Sequence, residues 1–138
     1  VRWLVLLLIC AAYIQGGIYK ATHFGEAIAE MEHFGLSPPS VMAALVIATE
    51  LGGSALILSG RFRWFGAFAL AGFTFLATLM AYRFWEMAPP DRTMVMNGFF
   101  EHLGLIGGLL LVAWHDLRAT RASTTEPRRR PWQPRDAS

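Results

Sequence analysis

Glu50 is the residue whose chemistry most needs a reason, because it stands near the middle of an otherwise apolar run from Val41 to Leu58. A charged side chain at the centre of a membrane helix costs about 2.5–3.5 kcal/mol on insertion scales. Buried without a cation, such a carboxyl is expected as the neutral acid. Helical spacing puts Gly53, Ser54 and Ile57 on its face, which turns it into a bundle rather than toward lipid. Two readings follow: a proton or ligand site, or a carboxylic acid that hydrogen-bonds a neighbouring helix as glue. Glu101 shares a stripe with Asn97, Gly104 and Gly108, so it too is expected to face inward. Gln15 and Thr78 lie at comparable depth in their own runs. The expectation is one polar pocket holding Glu50, Glu101, Gln15 and Thr78, with Lys20 or Arg83 as counter-ion. His102, beside Glu101, is a candidate proton carrier, although a surface or satisfied histidine is the simpler reading.

Other chemistries find no support in the spacing. His23, His33, His102 and His115 are scattered, with no i, i+4 pair on one helix, so no metal or haem site is expected. The single cysteine, Cys10, excludes an intramolecular disulfide and a thiol pair for redox relay. No cofactor is written into the sequence.

The elements that must position these residues are four apolar runs, Trp3 to Tyr19, Val41 to Leu58, Trp64 to Tyr82 and Gly98 to Trp114. Each is long enough, at roughly 26–29 Å of helix, to cross the hydrocarbon core. Their continuity excludes alternating strands, and open sheet edges cannot face lipid. Hydrophobic residues make up 54% of the chain and charged residues only 16%, which favours lipid over water as the solvent. The fold class is therefore all-α, an integral membrane four-helix bundle comprising residues 1–116. The first run is read as a span rather than a cleaved signal peptide, because no clean small-x-small cleavage site precedes a polar mature start and Gln15, Gly16, Gly17 and Lys20 look functional. Trp3, Tyr19, Trp64, Tyr82, Trp85 and Trp114 fall near span ends, the level amphipathic rings prefer.

Between the first two runs, Phe24, Ala27, Ile28, Met31 and Phe34 recur at helical spacing, with Glu26, Glu30 and Glu32 elsewhere on the wheel. That pattern predicts a short amphipathic helix capped by Gly35 and stopped by the Ser37-Pro38-Pro39-Ser40 segment. It is expected outside the cytoplasm, as a lid over the mouth of the bundle. The short Ser59 to Arg63 connection makes spans two and three antiparallel neighbours. Thr93 or Asn97 is the expected cap of span four. Gly16-Gly17, Gly52-Gly53 and Gly107-Gly108 lie inside apolar runs and are read as close-packing sites, with Ala48/Gly52 and Gly104/Gly108 at small-xxx-small spacing.

Residues 117–138 form a polar, basic tail, expected to be disordered and cytoplasmic. Arg2, Arg61, Arg63, Arg118, Arg121, Arg128, Arg129, Arg130 and Arg135 fall on one side of the alternating spans, against Lys20, Arg83 and Arg92 on the other. The excess places both termini in the cytoplasm. The tail's bases suit anionic lipid rather than nucleic acid.

Four pieces of this sequence carry a family resemblance: Gly16-Gly-Ile-Tyr-Lys20, Glu50-Leu-Gly-Gly, Gly60-Arg-Phe-Arg63 and Leu103-Gly-Leu-Ile-Gly-Gly-Leu-Leu. In order and spacing they resemble the DoxX family of small bacterial and archaeal membrane proteins. Where that family often carries Asn before the Gly-Gly of the last span, this chain has His102. The resemblance implies a multi-pass protein of a prokaryotic cytoplasmic membrane, in some members a subunit of a thiosulfate:quinone oxidoreductase and in others a partner of redox or stress-defence enzymes. It supplies no agreed catalytic set. The leading expectation is an accessory subunit of a quinone-linked complex, with carboxylates handling protons near a quinone headgroup. A proton-coupled carrier and a scaffold recruiting a soluble enzyme through the tail are the alternatives.

Overall fold

The structure is a computed structural model that describes residues 1–125. The Arg-rich stretch at 126–138, expected as disordered tail, lies outside the described residues. Four long helices carry the fold: α1 (Arg2–Thr22), α3 (Pro39–Ser59), α4 (Arg63–Ala81) and α5 (Asp91–Thr125). All four are long and apolar enough to cross a membrane. A short helix α2 (Phe24–His33) follows α1 after the single residue His23, and one 3₁₀ turn, Phe84–Glu86, links α4 to α5. No strand occurs among the described residues. The apolar runs read from the sequence each sit within one of these helices, except that Tyr82 caps α4.

Periodicity explains which faces meet. On α1, Leu6, Cys10, Tyr13 and Gly17 are buried, a heptad-like stripe that Lys20 continues one turn on. They join Ile57 of α3, Ala67, Leu70 and Ala71 of α4, and Leu109 and Ala113 of α5 in one core. α1 packs on α3, α3 on α4 and α4 on α5, while α1 meets α5 only briefly. This core lies toward the end of the bundle that holds the α3–α4 turn. Lipid supplies no hydrophobic drive between spans, so close approach does the work. A Cβ on Gly53 would stand 2.7 Å from Leu70 Cγ, and one on Gly66 only 2.7 Å from the Gly53 carbonyl oxygen. Gly17 is equally crowded by Leu51, at 2.7 Å.

The turn end is also fastened by polar contacts. Trp64 N donates to Asp116 Oδ2 at 3.1 Å, satisfying a free N–H at the start of α4. Arg63 pairs with Asp116 at 3.6 Å and donates to the Ile57 carbonyl at 2.9 Å. Gly60, at φ 79°, ends α3 in the left-handed conformation that suits glycine.

The amphipathic helix forms as its pattern predicts. Ala27 and Met31 are buried against Ala43 of α3, with Ile28, Leu36, Met42 and Val46 around them. Its end is a Schellman motif: Leu36 N donates to Met31 O and Gly35 N to Glu32 O, both at 2.9 Å, with Gly35 at φ 70°. Pro39 opens α3 as its first residue, where its missing N–H is not needed.

Three expectations need correction. Helix α5 begins at Asp91, so neither Thr93 nor Asn97 caps it. At its other end it runs on to Thr125, so 117–125 of the expected tail are helical. No Gly or Pro interrupts Leu117 to Thr125, and propagating an existing helix needs no new nucleus. Lastly, a Cβ on Gly52, Gly104, Gly107 or Gly108 would meet nothing within 4 Å. The face α5 turns inward is Leu105, Leu109 and Ala113, and the glycine stripe lies beside it.

Candidate functional site

Helices α3 and α4 are pressed together near their turn, and toward the other end, under α2, a cavity of about 520 Å³ remains. That volume falls in the range of small-molecule sites. Its walls are largely apolar: Val46 of α3 faces Phe73, Ala77 and Met80 of α4, and Met31 and Phe34 come from the lid. Into this slot open a few polar groups held on α1, α3, α4 and α5.

On the α1–α3 wall, Lys20 Nζ stands 3.1 Å from Glu50 Oε1 and 3.4 Å from Oε2. The Glu50 side chain is 7% exposed and that of Lys20 19%. Lys20 reaches Glu50 because it lies two heptads along the buried stripe of α1 from Leu6. A carboxylate so paired escapes the full penalty of lone burial. Glu50 is thus accompanied by a cation, and the condition under which the neutral acid is expected is not met.

Across the floor, Tyr13 of α1 bonds Thr74 of α4, and on the far wall Thr78 Oγ1 meets His102 Nδ1 at 2.8 Å. The directions of these bonds follow from proton counting. Thr74 and Thr78 each give their one hydroxyl proton to the carbonyl four residues back, at 2.7 and 2.6 Å. Each oxygen must then accept from its cross-helix partner, so Tyr13 O–H donates to Thr74 and His102 Nδ1–H donates to Thr78. A His102 ring that carries its proton on Nδ1 satisfies this pattern and leaves Nε2 as a hydrogen-bond acceptor. Tyr82, tilted against the ring at 4.6 Å, holds its plane.

Of the residues expected to share a pocket, the fold brings Glu50, Lys20 and His102 to the cavity wall, with Thr78 buried behind His102 and hydrogen-bonded to it. It leaves out three. Glu101 is exposed, because its stripe lies about 100° around α5 from the one that carries His102 inward. Gln15 is exposed on α1 and lines a separate small chamber near the α1–α2 elbow. Arg83, half exposed, pairs with Glu86 at 2.6 Å and not with Glu50. Sequence reasoning missed Tyr13 and Thr74. The signal for both was present: Tyr13 lies on the same heptad stripe as Cys10 and Lys20, and Thr74 is four residues before Thr78. Among the described residues no cluster of three or more His, Cys, Asp or Glu could hold a metal ion.

Comparison with known proteins adds a family. The DoxX family model matches residues 3–83, which run from the start of α1 through the lid to the end of α4. The chain belongs to the DoxX family. The matched segment of this DoxX protein includes Lys20, Glu50, Tyr13, Thr74 and Thr78, whereas His102 and the rest of α5 lie beyond it. No curated protein and no solved structure matches the chain. As a multi-pass DoxX protein it meets lipid over the outward faces of its spans, where Leu8, Leu45, Leu76 and Leu111 are exposed.

Proposed function

We propose that this DoxX protein is a quinone-linked subunit of a membrane redox complex that receives a flat, oxygen-edged headgroup in the cavity under α2. The observation that carries the reading is the combination of an apolar slot with Lys20–Glu50 on one wall and His102 on another. Amphiphile sites pair such walls with a few fixed polar groups. A bound quinone would supply two-electron, two-proton chemistry, its electrons coming from a partner redox subunit. The chain's own part is to bind, orient and hold protons. Lys20, steadied by Glu50, donates to an oxygen at one edge. His102 Nε2 accepts from a hydroxyl, or from water, at another. Glu50 takes up or releases a proton as the ammonium beside it engages or disengages. Membership of the DoxX family suggests a prokaryotic cytoplasmic membrane, and the arginine balance favours both termini inside, the lid outside and the tail against anionic lipid.

The close packing around Gly53 and Gly66 favours this reading over a carrier, which needs a second opening at the turn end. Protein in nanodiscs should bind a short-chain quinone analogue. Glu50→Gln and His102→Leu, each removing about 1–2 kcal/mol of polar contact, should weaken that binding on the order of tenfold. Wild-type affinity in both variants would defeat the reading.

A further inference from the structure

The cavity is flanked by a second, polar chamber of about 350 Å³ at the α1–α2 elbow, and the two share Gly16, Lys20 and Glu30. We infer that this chamber is the aqueous route by which Glu50 exchanges protons with bulk water, and that Gly16 is the window between chamber and carboxylate.

Three observations carry the inference. First, the chamber is lined by groups that hold water: Gln15, Tyr19, Lys20, His23, Glu26 and Glu30. The titratable groups facing the passage are thus Lys20, His23, Glu26 and Glu30, with Tyr19 donating to Glu26 at 2.8 Å. Second, the missing side chain at Gly16 leaves open the space a methyl would fill. A Cβ there would stand 3.5 Å from Glu50 Oε2 and 3.6 Å from Lys20 Nζ, in ordinary contact with both. Third, the alternative way to Glu50, through the large cavity, runs past Val46, Phe73, Ala77 and Met80, a mainly apolar stretch whose side chains offer water no hydrogen bond, before it reaches the polar groups Tyr13, Thr74 and His102. An apolar cavity admits an amphiphile and repels a file of water. Ligand and proton therefore reach Glu50 by different doors.

The inference gives the Glu50 of the proposed ligand site its proton supply, but its test needs no ligand. The full chain in nanodiscs is treated with a water-soluble carbodiimide and a small amine, and modification of each carboxylate is followed by peptide mass spectrometry. Exposed Glu32 and Glu101 serve as references in the same chain. Glu50 should be modified measurably in the wild type, the amide with the added amine and the internal amide with Lys20 both being counted, since either amine displaces the urea from the activated carboxyl. Gly16→Val should slow that modification severalfold with Glu101 unchanged, whereas Ala77→Phe, which fills the apolar cavity, should leave it as it was. If Gly16→Val does not fold, Gln15→Trp narrows the same chamber from its exposed rim, and the same slowing is expected. The inference is overturned if Glu50 stays unreactive in the wild type, or if Ala77→Phe slows the reaction and the chamber variants do not. Quinone binding without this pattern would sink the inference alone, and this pattern without quinone binding would sink only the ligand reading.

Discussion

A lysine ammonium 3.1 Å from a carboxylate that is 7% exposed is an arrangement in which either partner alone is a liability. Coulomb attraction offsets the cost of taking both charges out of water only while both are present. Lys20→Met leaves Glu50 without a cation in an apolar wall. Because Lys20 is itself partly exposed, the expected loss is about 2–3 kcal/mol, below the full penalty for breaking a deeply buried pair. Adding Glu50→Gln should recover most of it, as read from unfolding of the single and double variants in detergent; strictly additive losses would show that the two do not interact. At this scale the sequence is informative about charge and poor about partnership. Glu50 is conspicuous because any charge in an apolar run is. Its partner is less so, since choosing Lys20 over Arg83 needs the stripe Leu6, Cys10, Tyr13, Gly17, Lys20 to be followed to its end. Tyr13 and Thr74 are harder still: their bond joins residues 61 apart in sequence, and neither residue type is unusual in a span.

Among the elements, glycine has two opposite meanings. Gly66 admits the backbone of α3, and a methyl there would stand 2.7 Å from the Gly53 carbonyl oxygen, which has little freedom to retreat. Gly104 faces open space. Gly66→Ala should therefore destabilise the protein by about 1–3 kcal/mol through overpacking. Gly104→Ala should be neutral or stabilising by up to about 1 kcal/mol, from helix propensity. Thermal unfolding of the two variants side by side checks the contrast, and equal effects would contradict it. Both glycines look alike in sequence because each sits in an apolar run. What separates them is the inward direction of each helix, and on α5 that direction is set by Leu105, Leu109 and Ala113 rather than by the small residues. The same mistaken stripe placed Glu101 inside. The lid helix was readable to its last turn, because its stripe, its glycine and its proline stop are all local signals.

The whole molecule is asymmetric along its axis. At the turn end, glycine contacts, the apolar core and the Asp116 fastening close the bundle. At the lid end, α3 and α4 separate, α2 leans on α3, and the cavity opens beside Lys20, Glu50 and His102. A helical membrane bundle closed at one end and hollow at the other suits a molecule that arrives from one side, binds and leaves the same way. Such a site should capture an amphiphile on its walls and not merely on its lipid-facing surface. The most direct measurement is photoaffinity labelling in native membranes with an azido-quinone, the labelled residues being mapped by mass spectrometry. Label should concentrate on cavity-wall peptides containing Val46 and Ala77 to Tyr82, and excess unlabelled quinone should displace it. Label confined to outward residues such as Leu8, Leu45 and Leu111, or label that excess quinone fails to displace, would contradict a ligand site in this cavity.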